Sequence, residues 1–267
     1  LVPMDGLTLG FAAREMEQLL IGGRIDKVTQ PEKDTLILLI RAGSENRRLL
    51  LCASPNNARC HLTAQNYPNP LEPPMFCMLL RKQLLGGRIL SLKQMGGDRV
   101  LHLTVDTVDE LGDHVARVLI LEVMGRHSNL ILTDGNGRII DAARHVSQDM
   151  SRVRQIQPGL TYAPPPGQEK LDPAQATAET LLPYLEKNAA MPLQKALGAS
   201  LTGYSAPAAR ELCCRVTGST QAAIDPAELP QLAARIVDFL HRMPSLTPPV
   251  VLVDEQGDPT DVFPFPY

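Results

Sequence analysis

No run of apolar residues in this chain approaches the roughly 18 that a membrane-spanning helix needs, and its start lacks the basic-then-apolar order of a secretory signal. A cytoplasmic protein with no membrane partner is the expectation. Cysteine is scarce: the five residues form no C-x-x-C pair, and Cys213 and Cys214 are adjacent, which suits reduced, packed thiols better than a disulfide framework or a zinc site. The six histidines are scattered and accompany no carboxylate at zincin spacing, so no metal site is expected. A Walker loop and a G-x-S-x-G elbow are also missing.

What is there suffices for a substantial core. At 267 residues and 44% hydrophobic composition, length predicts one large or two smaller domains. The net charge of -3 is unevenly spread: residues 1 to 167 carry 19 basic and 17 acidic side chains, and residues 168 to 267 carry 7 and 12. An anion-binding surface therefore belongs in the first part, where Arg81, Lys82, Arg88, Lys93 and Arg99 face Asp98 alone over 81 to 99. Such a cluster also suits a solvated face, so composition permits RNA binding without requiring it.

Leu1 to Pro3 reads as a tag remnant ahead of Met4. Helical spacing after Asp5 runs to Leu20 and stops at Gly22-Gly23. Two strands follow about a turn at Pro31 to Asp34, with a third at Arg47 to Ala53, giving an antiparallel meander. A helix over Met75 to Leu85 is predicted to bury Met75, Met78, Leu79 and Leu85 and to stop at Gly86-Gly87, with Arg81 and Lys82 suiting its dipole. Strands are expected at Ile89 to Gln94, Val100 to Val105, Val118 to Met124 and Leu130 to Thr133, with a hairpin turn at Asp134 to Gly137. Pro158 to Gly167 reads as a linker. Four helices should follow, in LLPYLEKN, MPLQKALG, SAPAARELCCRVTG and LPQLAARIVDFLHRM, and the tail reads as a hairpin about Glu255-Gln256-Gly257 before an abrupt end. The fold class is thus α+β: an antiparallel-sheet domain over 1 to 167, a small all-α domain over 168 to 245, and a C-terminal hairpin segment over 246 to 267.

Three stretches could carry chemistry. Asp98-Arg99 follows two glycines, which permit positive φ and close backbone approach; the Arg fork could hold a phosphate or a base while Asp98 orients it, or the pair could close a turn locally. Glu122 shares its strand face with Val118, Ile120 and Met124, so its carboxylate needs a partner, and Arg126 and His127 are nearest in sequence. Both a structural network and a catalytic one are open there. In LTGYSAPAARELCCRV, a Gly turn before a helix start at Ser205 could offer backbone amides to a phosphate as helix-hairpin-helix units do, though the acidic balance favours a plain helical hairpin.

Together, MDGLTL, PPMFCMLLRKQLLGGRI, GGDR, EVMGRHSNLIL and LTGYSAPAARELCCR resemble the NFACT family of ribosome-quality-control proteins, called RqcH in bacteria and NEMF in animals and known in bacteria also as fibronectin-binding protein A. The resemblance implies an N-terminal domain similar to that of formamidopyrimidine-DNA glycosylases, then a helix-hairpin-helix domain, with the family's coiled coil and RNA-binding domain lying beyond this chain. It implies binding to the large ribosomal subunit carrying a stalled peptidyl-tRNA, and recruitment of an alanine-type tRNA for non-templated tailing. The family's tailing-critical residues match Asp5, Asp98 and Arg99, which are expected to bind the tRNA, and its MGRHSN motif falls on Met124 to Asn129, so that Glu122, Arg126, His127 and Asn129 are expected to form a structural or RNA-facing network. Gly203, Tyr204, Ser205 and Arg210 are the expected backbone-phosphate contacts. The ribosome would make the peptide bond, so no catalytic residue, enzyme activity or cofactor is expected.

Two rivals follow from the same resemblance. A DNA glycosylase would need a free N-terminal proline amine beside a glutamate, whereas Pro3 follows two residues and precedes Met4 and Asp5. An adhesin that binds fibronectin would need export that no segment of the sequence explains.

Overall fold

The computed structural model describes residues 4–167, 169–243, 250–253 and 259–263, the last two ranges as backbone. Contacts divide the chain into two compact units. The first comprises Met4, Ala12–Met95 and Arg99–Pro165; the second comprises Asp5–Phe11, Gly96–Asp98 and the described part of Pro166–Tyr267. Helix α1 (Gly6–Leu20) contributes residues to both.

The first unit is a nine-stranded sheet of β1 (Arg24–Glu32), β2 (Thr35–Ala42), β3 (Glu45–Cys52), β4 (Arg59–Thr63), β5 (Arg88–Gln94), β6 (Val100–Val108), β7 (His114–Glu122), β8 (Asn129–Asp134) and β9 (Ile139–Ala142), with α2 (Met75–Leu84) between β4 and β5. Strand order is β4-β3-β2-β1-β5-β6-β7-β8-β9, and every pairing is antiparallel. The expected meander is thus two meanders joined at a β1–β5 seam.

That seam follows a sequence repeat. Gly22-Gly23-Arg24-Ile25 recurs as Gly86-Gly87-Arg88-Ile89, each after a helix. Gly22 N donates to Ile89 O and Gly86 N to Ile25 O, both at 2.8 Å; Ile25 N donates to Gly87 O and Ile89 N to Gly23 O, both at 2.9 Å. The bonds are related by a local two-fold, with Arg24 paired to Arg88 on it, and both strands bulge just after the pair. The second glycine of each repeat does more than stop a helix. A Cβ on Gly23 would lie 2.6 Å from Ile40 Cγ2, and one on Gly87 2.6 Å from Val105 Cγ1, so each helix end lies against the sheet only because no side chain intervenes.

Alternation along the strands buries one face throughout: Ile25, Val28, Leu36, Leu38, Ile40, Leu49, Leu51, Ile89, Leu92, Leu101, Leu103, Val105, Leu119, Leu121, Leu130 and Leu132 are all sealed from solvent. At roughly 1.5–3 kcal/mol per fully buried aliphatic side chain, this face dominates the unit's stability. The opposite face is covered near its two ends. Tyr67 packs on Ile37, Leu50 and Cys52, while Val146, Ile156 and Tyr162 pack on Val100, Ile120, Ile131 and Ile139.

Four expectations need correction. Helix α2 buries Phe76, Cys77, Leu80 and Leu84, leaving Met75, Met78 and Leu85 exposed. MFCMLL is apolar on all sides, so periodicity cannot choose a stripe; the chosen one brings Cys77 Sγ and Arg81 Nε to Val28 O, at 3.5 and 2.9 Å. Arg81 therefore bonds a strand carbonyl besides suiting the helix end. β4 was not anticipated. Pro158 to Thr161 is no linker: Gly159 N donates to Ile139 O, Ile139 N to Leu160 O, and Tyr162 N to Gly137 O, so the segment lies along β9. Glu122 does not pair with Arg126 or His127, as shown below.

The second unit holds the four expected helices, α3 (Ala178–Lys187), α4 (Leu193–Ser200), α5 (Ala206–Thr217) and α6 (Leu229–Arg242). Thr177 closes a capping box on α3, Ser205 caps α5, and Gly218 ends α5 in the left-handed region. Their shared core includes Leu181, Leu197, Tyr204, Leu212, Leu232 and Ile236, with Leu7 and Phe11 of α1 packed against it. β10 (Val250–Val253) pairs antiparallel with β11 (Pro259–Phe263); the expected turn at Glu255-Gln256-Gly257 lies outside the described residues. No helix of the described residues is long and apolar enough to cross a membrane.

Candidate functional site

In the sheet unit, the ends of β6, β7 and β8 meet in one register row, Val100 opposite Glu122 opposite Asn129. Arg99 precedes this row, and its carbonyl accepts from Val123 N at 2.8 Å, so the arginine after the double glycine and the MGRHSN turn share one end of the sheet. The turn itself is a short 3-10 helix, Gly125–His127, closed by Ser128: Met124 N donates to Ser128 Oγ at 2.8 Å and Ser128 N to Gly125 O at 3.0 Å.

The motif splits into an inward and an outward half. Ser128 and Asn129 are buried, and Asn129 serves the backbone: its Nδ2 donates to Arg144 O at 2.8 Å, and its Oδ1 accepts from Leu130 N and Arg144 N at 2.9 and 3.0 Å. Arg126 and His127 are exposed, with Arg126 Nε donating to His127 Nε2 at 3.1 Å, and the Arg144 guanidinium donates to Arg126 O. Cations therefore rim this sheet end while neutral polar groups hold its backbone.

Glu122 is 1% exposed and its partners come from far along the chain. Arg154 grips both carboxylate oxygens, through Nη1 at 3.0 Å and through Nη2, while the Tyr162 hydroxyl donates to Oε2 at 2.7 Å. Arg154 also donates through Nε to Ala163 O at 2.6 Å and lies 5.2 Å over the Tyr162 ring. His102 meets the same ring edge-on at 6.0 Å. Burial, then the charge of Glu122, holds the Tyr162 phenol well above its ordinary pKa, and burial lowers that of His102. Arg154 and Tyr162 escaped the sequence reading because they sit in a segment with weak periodicity. The usable signal was the carboxylate itself, which demands a cation somewhere.

In the helical unit, three segments converge. Asp5 caps α1, its Oδ1 accepting from Thr8 N at 2.8 Å, and its Oδ2 accepts from Ser205 Oγ at 2.6 Å. Gly203 O accepts from Leu7 N at 3.1 Å. Gly96 and Gly97 have φ of +60° and +71°, and a Cβ on Gly203 would fall 2.5 Å from Gly97 O. Asp5, the Gly96–Asp98 loop and the Gly203–Ser205 turn thus form one cluster. Asp98 and Arg99 are half-buried, and Arg210 is exposed on α5. The Tyr204 ring is buried instead of facing out; its hydroxyl lies 3.9 Å from Met243 Sδ, and burial, then the charge of Asp5, raises its pKa.

Both oxygens of Asp5 have internal partners, so this residue positions two helix starts. Asp5→Ala should lower the stability of the helical unit by about 1–2 kcal/mol, as loss of a cap and a charge-assisted bond requires. A double-mutant cycle with Ser205→Ala, read by urea unfolding, should show coupling above about 0.5 kcal/mol; strict additivity would refute the link.

The comparisons with known proteins bear on this arrangement. A family model described as NFACT N-terminal and middle domains matches residues 5–267. The chain belongs to the NFACT family. Among NFACT relatives, the Rqc2 homolog RqcH of Bacillus subtilis is 44% identical over 182 residues, 68% of this chain and 32% of that protein. The ribosome quality control complex subunit NEMF of Homo sapiens is 28% identical over 140 residues, 52% of this chain and 12% of that protein. The chain spans about a third of the length of the RqcH proteins it matches. Among solved NFACT structures, the N-terminal part of the fibronectin/fibrinogen-binding protein from Streptococcus suis superposes with a TM-score of 0.81 at 33% identity, covering 98% of this chain and 90% of that one.

Proposed function

We propose that the protein works in ribosome quality control in the cytoplasm, binding large ribosomal subunits that carry a stalled peptidyl-tRNA and recruiting tRNA for non-templated alanine tailing. The relatives named for that process support the reading. The observation that carries it is the Asp5 cluster, because it gathers residues 200 positions apart around the loop that presents Asp98. Asp98 and Arg99 contact the tRNA, and Asp5 positions that loop's surroundings. Arg126 supplies outward positive charge beside the exposed His127 ring, and Gly203, Ser205 and Arg210 offer further contacts to phosphate. The ribosome makes the peptide bond, so the chain itself is not an enzyme and needs no cofactor. The same reading includes a likeness of the sheet domain to the formamidopyrimidine-DNA glycosylase N-terminal domain and a helix-hairpin-helix role for α4 and α5, with a boundary near residue 167.

The test is co-sedimentation of the full-length protein with large subunits, followed by sequencing of the retained tRNA. Asp98→Ala/Arg99→Ala should abolish tailing and reduce tRNA retention at least tenfold, as loss of charge-assisted contacts worth about 1.4 kcal/mol or more requires. Unchanged tRNA retention with intact tailing would remove this pair from the mechanism. A second reading, fibronectin binding, follows from the name of the Streptococcus suis protein. Tight binding of fibronectin by purified protein, with no ribosome association in cells, would favour it.

A further inference from the structure

The outer face of the sheet unit carries a row of cations that the proposed site does not use. Arg24 lies directly opposite Arg41 on β2 and directly opposite Arg88 on β5, so three guanidiniums stand side by side across three strands. Opposed residues in antiparallel strands share a face, and Lys27, opposite Leu39, joins the same side. All four are exposed. They occupy the middle strands of the face whose ends are covered by Tyr67 on one side and Ile156 with Tyr162 on the other.

Like charges placed directly opposite one another destabilise a sheet, so such a row needs a compensating anion. Among the described residues, two carboxylates lie beside the row. Asp26 accepts from Arg24 Nε at 2.7 Å, and its carboxyl is held below the ordinary range by Arg24 first and by Arg41 and Arg88 as well. Asp106, opposite Arg88 at the end of the row, is engaged by His114 Nδ1 at 3.0 Å. Arg88 Nη1 donates to Gly22 O at 3.3 Å, which steadies the guanidinium without neutralising it.

We propose that Arg24, Arg41, Arg88 and Lys27 form a second RNA contact, which grips the phosphodiester backbone without reading bases. Strand spacing places the three arginines over about 10 Å, so they meet successive phosphates of one strand. Each fork can bind a phosphate bidentately, and Asp26 in their midst can accept from a ribose 2′-hydroxyl. A free anion would use one fork; only a polymer of regularly spaced phosphates uses the whole row. The inference rests on the RNA-binding reading above and adds a surface to it.

The experiment measures affinity of the full-length protein for a tRNA transcript and for large ribosomal subunits over a range of salt. Arg24→Ala/Arg41→Ala/Arg88→Ala should weaken binding on the order of 100-fold near 0.1 M salt and lower the slope of log K against log salt by about 2–3, uniformly across RNA sequences. Replacing the same three residues with lysine should restore most of the slope. All three arginines are exposed and their removal relieves repulsion across the strands, so the variant should unfold at or above the wild-type temperature. An unchanged slope in the alanine variant, with binding still lost in Asp98→Ala/Arg99→Ala, overturns this surface and leaves the tRNA reading standing. A wild type that binds neither RNA probe overturns both. Loss of binding to phosphatidylserine vesicles, with RNA affinity intact, would assign the row to a membrane surface and overturn the proposal.

Discussion

Arg154→Leu should destabilise the sheet unit by about 3–5 kcal/mol at neutral pH, because it strands a buried carboxylate. Glu122 is sealed on the sheet face beneath the segment that carries Ile156 and Tyr162, and Arg154 is the cation that grips it. The Tyr162 hydroxyl alone cannot compensate a full charge out of water. Amide hydrogen exchange across β7 and β8 should accelerate accordingly. Glu122→Leu/Arg154→Leu should recover most of the loss, since removing both ends of a buried pair costs far less than removing one. A single Arg154→Leu variant within about 1 kcal/mol of wild type would show that the ion pair does not hold the covering segment down. Because Asn129 and Ser128 brace the same sheet end, Arg126 and His127 should also lose their fixed placement in the single variant, linking this stability term to any RNA contact made there.

Gly203→Ala is the second large effect, expected to destabilise the helical unit by about 3 kcal/mol or more. Two causes add. The residue has φ of +85°, where an L side chain costs roughly 1–2 kcal/mol. Its Cβ would also meet Gly97 O at 2.5 Å and Gly6 Cα at 3.2 Å, backbone atoms that cannot rotate away. Gly218 separates the two causes, having nearly the same φ, +78°, with open space around its missing Cβ. Gly218→Ala should therefore cost only about 1–2 kcal/mol. Equal losses at the two positions in urea unfolding would eliminate the close-approach term. A shift of the Gly97 loop in Gly203→Ala should also perturb Asp98, so the proposed tRNA contact should weaken even where the variant remains folded.

Local pattern determined most of the elements. Alternation in LILLI and RVLILE, helical spacing in the last four helices, and the glycine stops each depend on neighbours within a few residues, so they were legible from the chain. The GGRI repeat lies in the sequence, where its glycines read only as helix stops; the pairing shows that it forms the β1–β5 seam and sets its two arginines face to face. The motif positions Asp5, Asp98, Arg99 and Met124 to Asn129 could be named from sequence, but not the division of labour within them. Tertiary structure decided that Asn129 and Glu122 face inward and Arg126 and His127 outward, that Asp5 reaches Ser205, and that Glu122 finds Arg154 and Tyr162. It also chose which stripe of α2 is buried, because the helix opens with MFCMLL, six apolar residues that mark no preferred side. The physical reason is common to these cases: a hydrophobic period records which side of a residue is dry, whereas the partner of a buried charge or a close-packed glycine is set by chain segments dozens to hundreds of residues away.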